Sequence, residues 1–105
     1  MNTPGPQHDL ARVRSLAGQG RVVTTRRVAT WLINHDYDSV ALVVEILCAL
    51  EAYGRWLDSC VLANSEIADE YGISLSGEDW YVKFCLDEER VVVNVWSCWW
   101  QGAAH

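Results

Sequence analysis

Proline is scarce in this chain, two residues in 105, and no stretch is repetitive. With half of the residues hydrophobic and six of them tryptophan, a disordered or low-complexity chain is excluded. No apolar run reaches the length of a membrane span. The longest, Val40 to Leu50, is too short and contains Glu45, and the first twenty residues lack the apolar centre of a secretory signal, so a cytoplasmic protein that contacts no membrane is expected. None of the four cysteines (Cys48, Cys60, Cys85, Cys98) pairs at C-x-x-C spacing, and two of the three histidines lie near the termini. Zinc and a disulfide framework are therefore poor readings. Reduced thiols acting as small buried hydrophobes are expected, with no metal and no cofactor.

Positive charge is also in short supply: 8 basic groups face 14 acidic ones, for a net charge of −6 and a pI near 4.8. Taken whole, this opposes a binder driven by phosphate contacts. The distribution qualifies the point. Residues 1–30 carry Arg12, Arg14, Arg21, Arg26 and Arg27 against Asp9 alone, net +4, whereas residues 31–105 hold three basic and thirteen acidic groups, net −10. At 11.9 kDa there is room for one domain with one core (residues 1–105), which excludes separate cofactor and substrate lobes.

Residues 1–7, with Pro4-Gly5-Pro6, read as a loose leader, residues 8–54 as a helical half and residues 55–100 as mainly strand. Leu10, Val13, Leu16 and Ala17 share one helical face, predicting a helix over 9–18 stopped by Gly18 and Gly20. Arg21-Val22-Val23 is a short extended link. Thr24 or Thr25 then caps a helix containing Val28, Trp31 and Leu32 and ending near His35. Asp38 or Ser39 caps a third helix that runs to Tyr53 and is closed by Gly54. This helix is apolar almost all round and is expected to be the central, largely buried one. Arg55 to Ala63 is ambiguous. Asn64-Ser65-Glu66 opens either a short helix ending at Tyr71-Gly72 or a strand.

The last third is clearer, because Trp80, Val82, Phe84 and Leu86 alternate with Tyr81, Lys83 and Cys85 before the polar turn Asp87-Glu88-Glu89-Arg90 and a second extended run from Val91. A hairpin with Leu86 opposite Val91 follows. It pairs Phe84 with Val93, Val82 with Val95, Tyr81 with Trp96, Lys83 with Asn94 and Cys85 with Val92, putting Tyr81, Lys83, Asn94 and Trp96 on the polar face. The fold class is α+β, with N-terminal helices packed on a small twisted antiparallel sheet that ends in a β-hairpin.

The stretch Ala11-Arg12-Val13-Arg14-Ser15-Leu16, followed by Gly20-Arg21-Val22-Val23-Thr24-Thr25-Arg26, resembles the opening of the MqsR family of mRNA-interferase toxins. Asp69-Glu70-Tyr71 and Tyr81-Val82-Lys83 are similar to that family's later segments, and the likeness runs collinearly from about Pro6 to Trp96. The resemblance implies a RelE-like fold and metal-independent acid/base cleavage of mRNA. It also implies a type II toxin whose partners are a cognate antitoxin protein and, if the chain is active, RNA; a homodimer is compatible with it. Tyr81 matches the family's active-site tyrosine and Lys83 the lysine two residues on. Arg55 stands for a lost lysine after a one-residue shift, in Gly54-Arg55-Trp56-Leu57. Three positions depart from the pattern: that lysine, a glutamine that is Ala68 here, and a late lysine that is Trp96, with Ser97 beside it.

The resemblance thus names Tyr81, Lys83 and Arg55 as catalytic candidates. Tyr81 and Lys83 are equally ordinary residues for the solvated face of a hairpin, and Arg55 for the end of a helix. Arg21, Arg26 and Arg27 form the one dense basic cluster and suit RNA, an acidic partner or plain solvent. Trp96, with Trp99 and Trp100, reads as a base-stacking platform, as buried edge residues or as a partner patch, and little positive charge lies near it in sequence. His35 reads as a helix-end residue and Asp87-Glu88-Glu89 as a solvated hairpin tip. Loss of the family's cations, together with the acidic, Trp-rich C-terminal half, supports a second class of function. In that reading the chain is a catalytically inactive MqsR-like module that binds or regulates a partner protein.

Overall fold

The computed structural model describes residues 5–100. Its three helices begin at side-chain caps. Asp9 accepts from the Ala11 amide at the start of α1 (Leu10–Gly18), Thr25 from the Val28 amide at α2 (Arg26–Asn34), and Asp38 from the Ala41 amide at α3 (Ser39–Tyr53). Gly20, at φ +75°, ends α1 in the left-handed conformation, and the Gly20 and Arg21 amides return to the carbonyls of Ala17 and Leu16. Gly54 ends α3 for a different reason. Its backbone is extended, but a Cβ there would lie 2.7 Å from the Leu50 carbonyl oxygen. Only one face of α3 is buried, through Val43, Ile46, Leu47 and Leu50, while Val40 and Tyr53 are exposed, so the helix is not the largely buried one expected.

Five strands follow the order β1-β5-β4-β3-β2: β1 (Val22–Thr24), β2 (Arg55–Val61), β3 (Ile67–Leu75), β4 (Glu78–Asp87) and β5 (Val92–Trp100). The sheet is mixed, not antiparallel as expected. The link through Val22 and Val23 becomes a short strand parallel to β5, because the chain crosses the helical layer before it returns, and the other three pairings are antiparallel. Between Asn64-Ser65-Glu66 and Tyr71-Gly72 the strand alternative is the one that forms. The Ser76-Gly77 turn into β4 has both residues at positive φ, as a tight two-residue hairpin requires.

The final hairpin keeps the expected faces with a different register. Leu86 opposes Val93, Cys85 opposes Asn94 and Phe84 opposes Val95, two residues further along β5 than the alternation predicts. The cause lies in the turn. Asp87 remains in β4 and its carboxylate accepts the Glu89 and Arg90 amides, while Val91 adopts φ +58° and belongs to the loop. A shift by two leaves the inward set inward. Beyond Val95 a bulge places Lys83 opposite Ser97 and Tyr81 opposite Trp99, with Trp96 as the extra residue. The bulge changes the inward set of β5 from Val93 and Val95 to Cys98.

The core lies between the helices and one sheet face, with Leu16, Leu32, Ile46 and Leu47 packed over Ile73, Val82, Phe84 and Val95. One buried charge sits at its margin. The Asp69 carboxylate, fully buried, accepts the Ser59 hydroxyl at 2.5 Å, the Gln7 amide at 2.9 Å and the His8 amide at 2.8 Å, and the Trp56 indole donates to Ser59. Gln7 is thereby tied down, in contrast to the expected loose leader. Desolvating a carboxylate is costly unless donors replace the water, and these backbone amides do so. Positions 1–4 of that leader lie outside the described residues.

Candidate functional site

All three helices pack on one face of the sheet, which leaves the other without a helical layer. Strand alternation assigns residues to that open face: Tyr71, Ile73, Trp80 and Val82 are buried inward, so Glu70, Gly72, Tyr81 and Lys83 point outward. Register then aligns them in rows. Arg55, Gly72, Tyr81 and Trp99 are successive partners across β2, β3, β4 and β5, and Asp58, Glu70, Lys83 and Ser97 form the next row. The three catalytic candidates from the sequence therefore share one face.

Gly72 lets them approach one another. A Cβ there would meet an Arg55 guanidinium nitrogen at 3.0 Å, so the arginine lies across the glycine toward Tyr81's strand. Among the described residues neither Arg55 nor Lys83 has an ion pair or side-chain hydrogen bond. Tyr81 is engaged on both sides. Its hydroxyl donates to the Glu70 carboxylate, and its ring stacks on Trp99 at 5.0 Å and 28°. Burial, followed by the Glu70 hydrogen bond and the charges of Glu70, Cys60 and Asp58, holds the phenol well above its ordinary range. Tyr81 is accordingly a hydrogen-bond and proton donor and not a base, and Glu70 is the proton acceptor in contact with it.

Trp96 lies on the same face, 37% exposed, with its indole N–H 3.4 Å from the Cys85 sulfur, and Cys85 donates to Glu66 at 3.1 Å. Burial above all, reinforced by Glu66 against the opposing Trp96 bond, pushes the Cys85 thiol up to about 11. Residue Arg27, distant in sequence, reaches this end of the sheet. Together with Trp31, Trp96, Ser97 and Trp99 it lines a cavity of about 160 Å³ between α2 and β5. The positive charge that the sequence lacks beside its C-terminal tryptophans is supplied by the fold. Arg26 is exposed one position earlier on α2. Arg21 is elsewhere: its guanidinium donates to the Val91 and Arg90 carbonyls at 2.6 and 3.1 Å and holds the hairpin loop. His35 is structural, stacked on Trp31 at 4.1 Å with Nδ1 2.7 Å from the Trp31 carbonyl oxygen.

Sequence reasoning missed Glu70, although it lies within a segment quoted for the resemblance. Reading that segment as a strand would have set Glu70 outward beside Lys83. It also missed Trp31, whose Nε1 is buried with no hydrogen-bond partner among the described residues. Among the described residues no three His, Cys, Asp or Glu side chains converge as a metal site, and no helix is long and apolar enough to cross a membrane. A scan against protein-family models finds no match to the chain, and a search of curated proteins finds none that is significantly similar.

Proposed function

We propose that this chain is an MqsR-like ribonuclease, the toxin of a type II toxin-antitoxin pair, and that it cuts single-stranded RNA on the open face of its sheet. The observation that carries the reading is the shared face of Arg55, Tyr81 and Lys83, continued through the Tyr81–Trp99 stack to the cavity of Arg27 and Trp96. Aromatic faces beside unpaired cations are what a flexible, charged strand of stacked bases needs.

In this reading Glu70 removes the proton from a ribose 2′-hydroxyl, whose oxygen attacks the adjacent phosphorus. Lys83 and Arg55 stabilise the charge growing on the phosphoryl oxygens. As the bond from phosphorus to the 5′-oxygen breaks, Tyr81 gives its proton to the leaving oxygen, a far stronger base than a phenolate, and recovers one from Glu70 along the existing hydrogen bond. The products are a 2′,3′-cyclic phosphate and a 5′-hydroxyl, with no net proton gained or lost. Purified protein should therefore cut a short RNA in the presence of a chelator. Glu70→Gln, Tyr81→Phe and Lys83→Ala should each slow cleavage by roughly 10²–10³. RNA left intact at high protein concentration, with no change of growth phenotype in Tyr81→Phe, would refute the enzymatic reading.

One observation favours the second reading, a catalytically inactive module that binds a partner protein. Asp58, Glu66 and Glu70 alternate with the two cations, so the face suits a basic protein as well as a phosphate chain. On this reading the chain leaves RNA intact and forms a salt-sensitive complex with a basic partner, which Glu70→Lys weakens.

A further inference from the structure

We infer that the cavity between α2 and the outer part of β5 is a subsite for one nucleobase of a single-stranded RNA, with the adjoining phosphate on Arg27. The inference rests on the RNA-directed reading and adds to it the element that selects sequence. Three observations converge on it. The cavity, about 160 Å³, is smaller than the roughly 300–1,000 Å³ of a typical ligand pocket, so it admits one planar ring and not a whole cofactor. Its walls include three indoles, from Trp31, Trp96 and Trp99, which is an apolar, aromatic lining of the kind that receives unstacked bases. Arg27 stands beside these rings without an ion pair among the described residues, in a helical first turn that contains no acidic residue.

The backbone adds a reading edge. β1 pairs with residues 93–95 of β5, so residues 96–99 border the cavity past the end of that pairing, with no further strand on that side among the described residues. At that edge the peptide groups of Trp96 to Cys98 can meet the donors and acceptors of a base. Position then connects selection to chemistry. Trp99 lines the cavity and stacks on Tyr81, and Ser97 lines it and is the cross-strand partner of Lys83. A base seated there sets its own ribose and phosphate against the reacting face.

The test measures binding separately from cutting, using end-labelled 2′-O-methyl tetranucleotides of A, C, G and U, which lack the free 2′-hydroxyl, with fluorescence anisotropy as the readout. The wild-type chain should prefer one base. Stacking on an aromatic side chain is worth roughly fivefold to a hundredfold per base, and Arg27→Ala should weaken all four oligonucleotides by about fivefold or more. Trp31→Leu, which keeps apolar bulk but removes an aromatic wall, should flatten the preference, whereas Arg14→Ala, whose cation is paired with Glu51 away from the cavity, should change binding by less than about twofold. Arg27 is exposed, so its variant folds even if the Trp31 variant does not. Wild-type affinity and preference retained in both the Arg27 and Trp31 variants, while the chain still binds or cuts RNA, would overturn the subsite and leave the RNA reading standing. A wild-type chain that binds none of the four and cuts no RNA would overturn both.

Discussion

Replacing Asp69 with Asn is the sharpest test of what holds the N-terminal segment to the sheet. The change preserves shape but exchanges a fully buried acceptor of three donors for a group with one carbonyl oxygen and an NH₂. Its single oxygen must serve both the Gln7 and His8 amides, its NH₂ faces the Ser59 hydroxyl, which is left with the Gly5 carbonyl at 3.2 Å, and the charge that strengthens all three bonds is lost. Each buried donor left without a partner costs about 1–3 kcal/mol, and breaking a buried charged cluster from one side typically costs about 3–5 kcal/mol, so a loss of about 3 kcal/mol is expected for Asp69→Asn. For a domain of this size that corresponds to a fall in Tm of roughly 12–24 °C. Urea unfolding followed by tryptophan fluorescence gives the free energy, and hydrogen exchange at the Gln7 and His8 amides gives the location. Ser59→Ala removes one donor and should cost less, with clear non-additivity in the double variant because the two side chains are in contact. A loss below about 1 kcal/mol, with unchanged protection of both amides, would show that the carboxylate does not hold the segment.

Further outcomes follow from individual positions. Burial raises the Cys98 thiol from 9.0 to about 12, so its contribution to stability is complete below pH 9 and is lost as pH rises from 9 toward 12. The upper bound is about 4 kcal/mol, and urea midpoints measured across that range should fall less steeply in Cys98→Ala than in the wild type; parallel curves would contradict this. Gly54→Ala forces a Cβ against the Leu50 carbonyl and should cost about 1–3 kcal/mol in the same unfolding measurement, despite an extended backbone that alanine can adopt. Gly72→Ala meets only the movable end of Arg55, so it should change stability by less than about 1 kcal/mol while reducing any RNA cleavage that depends on Arg55; unchanged cleavage would separate Arg55 from the site.

The helices were legible because their signals are local. Asp9, Thr25 and Asp38 cap within three residues, and the apolar faces recur within one or two turns. The faces of β4 were legible for the same reason, since alternation needs no partner. Register was not, because it depends on whether Val91 takes a left-handed conformation and on where Asp87 directs its carboxylate. The bulge at Trp96 was hard to see because Trp96, Cys98, Trp99 and Trp100 put apolar residues on both phases of the strand, and its one mark is Ser97, polar on the phase of Val93 and Val95. The three residues of β1 are too few to reveal a periodicity, and their partner strand lies some 70 residues away. At the site, the sequence supplied Arg55, Tyr81 and Lys83. Glu70, the carboxylate that accepts the Tyr81 hydroxyl, emerges only when β3 is aligned beside β4.

The parallel contact of β1 with β5 also governs when the molecule can form. Val22 to Thr24 are made some 70 residues before their strand partners at Val93 to Val95, which are among the last described residues to be made. Until then β1 has no neighbour and β4 has one open edge. Such long-range closure slows folding and leaves strand edges available to other chains in the meantime. A chain cut short before residue 92 is added therefore presents a helical layer and a three-stranded sheet whose Val82 and Phe84 are only partly covered, a species suited to degradation or aggregation and not to function.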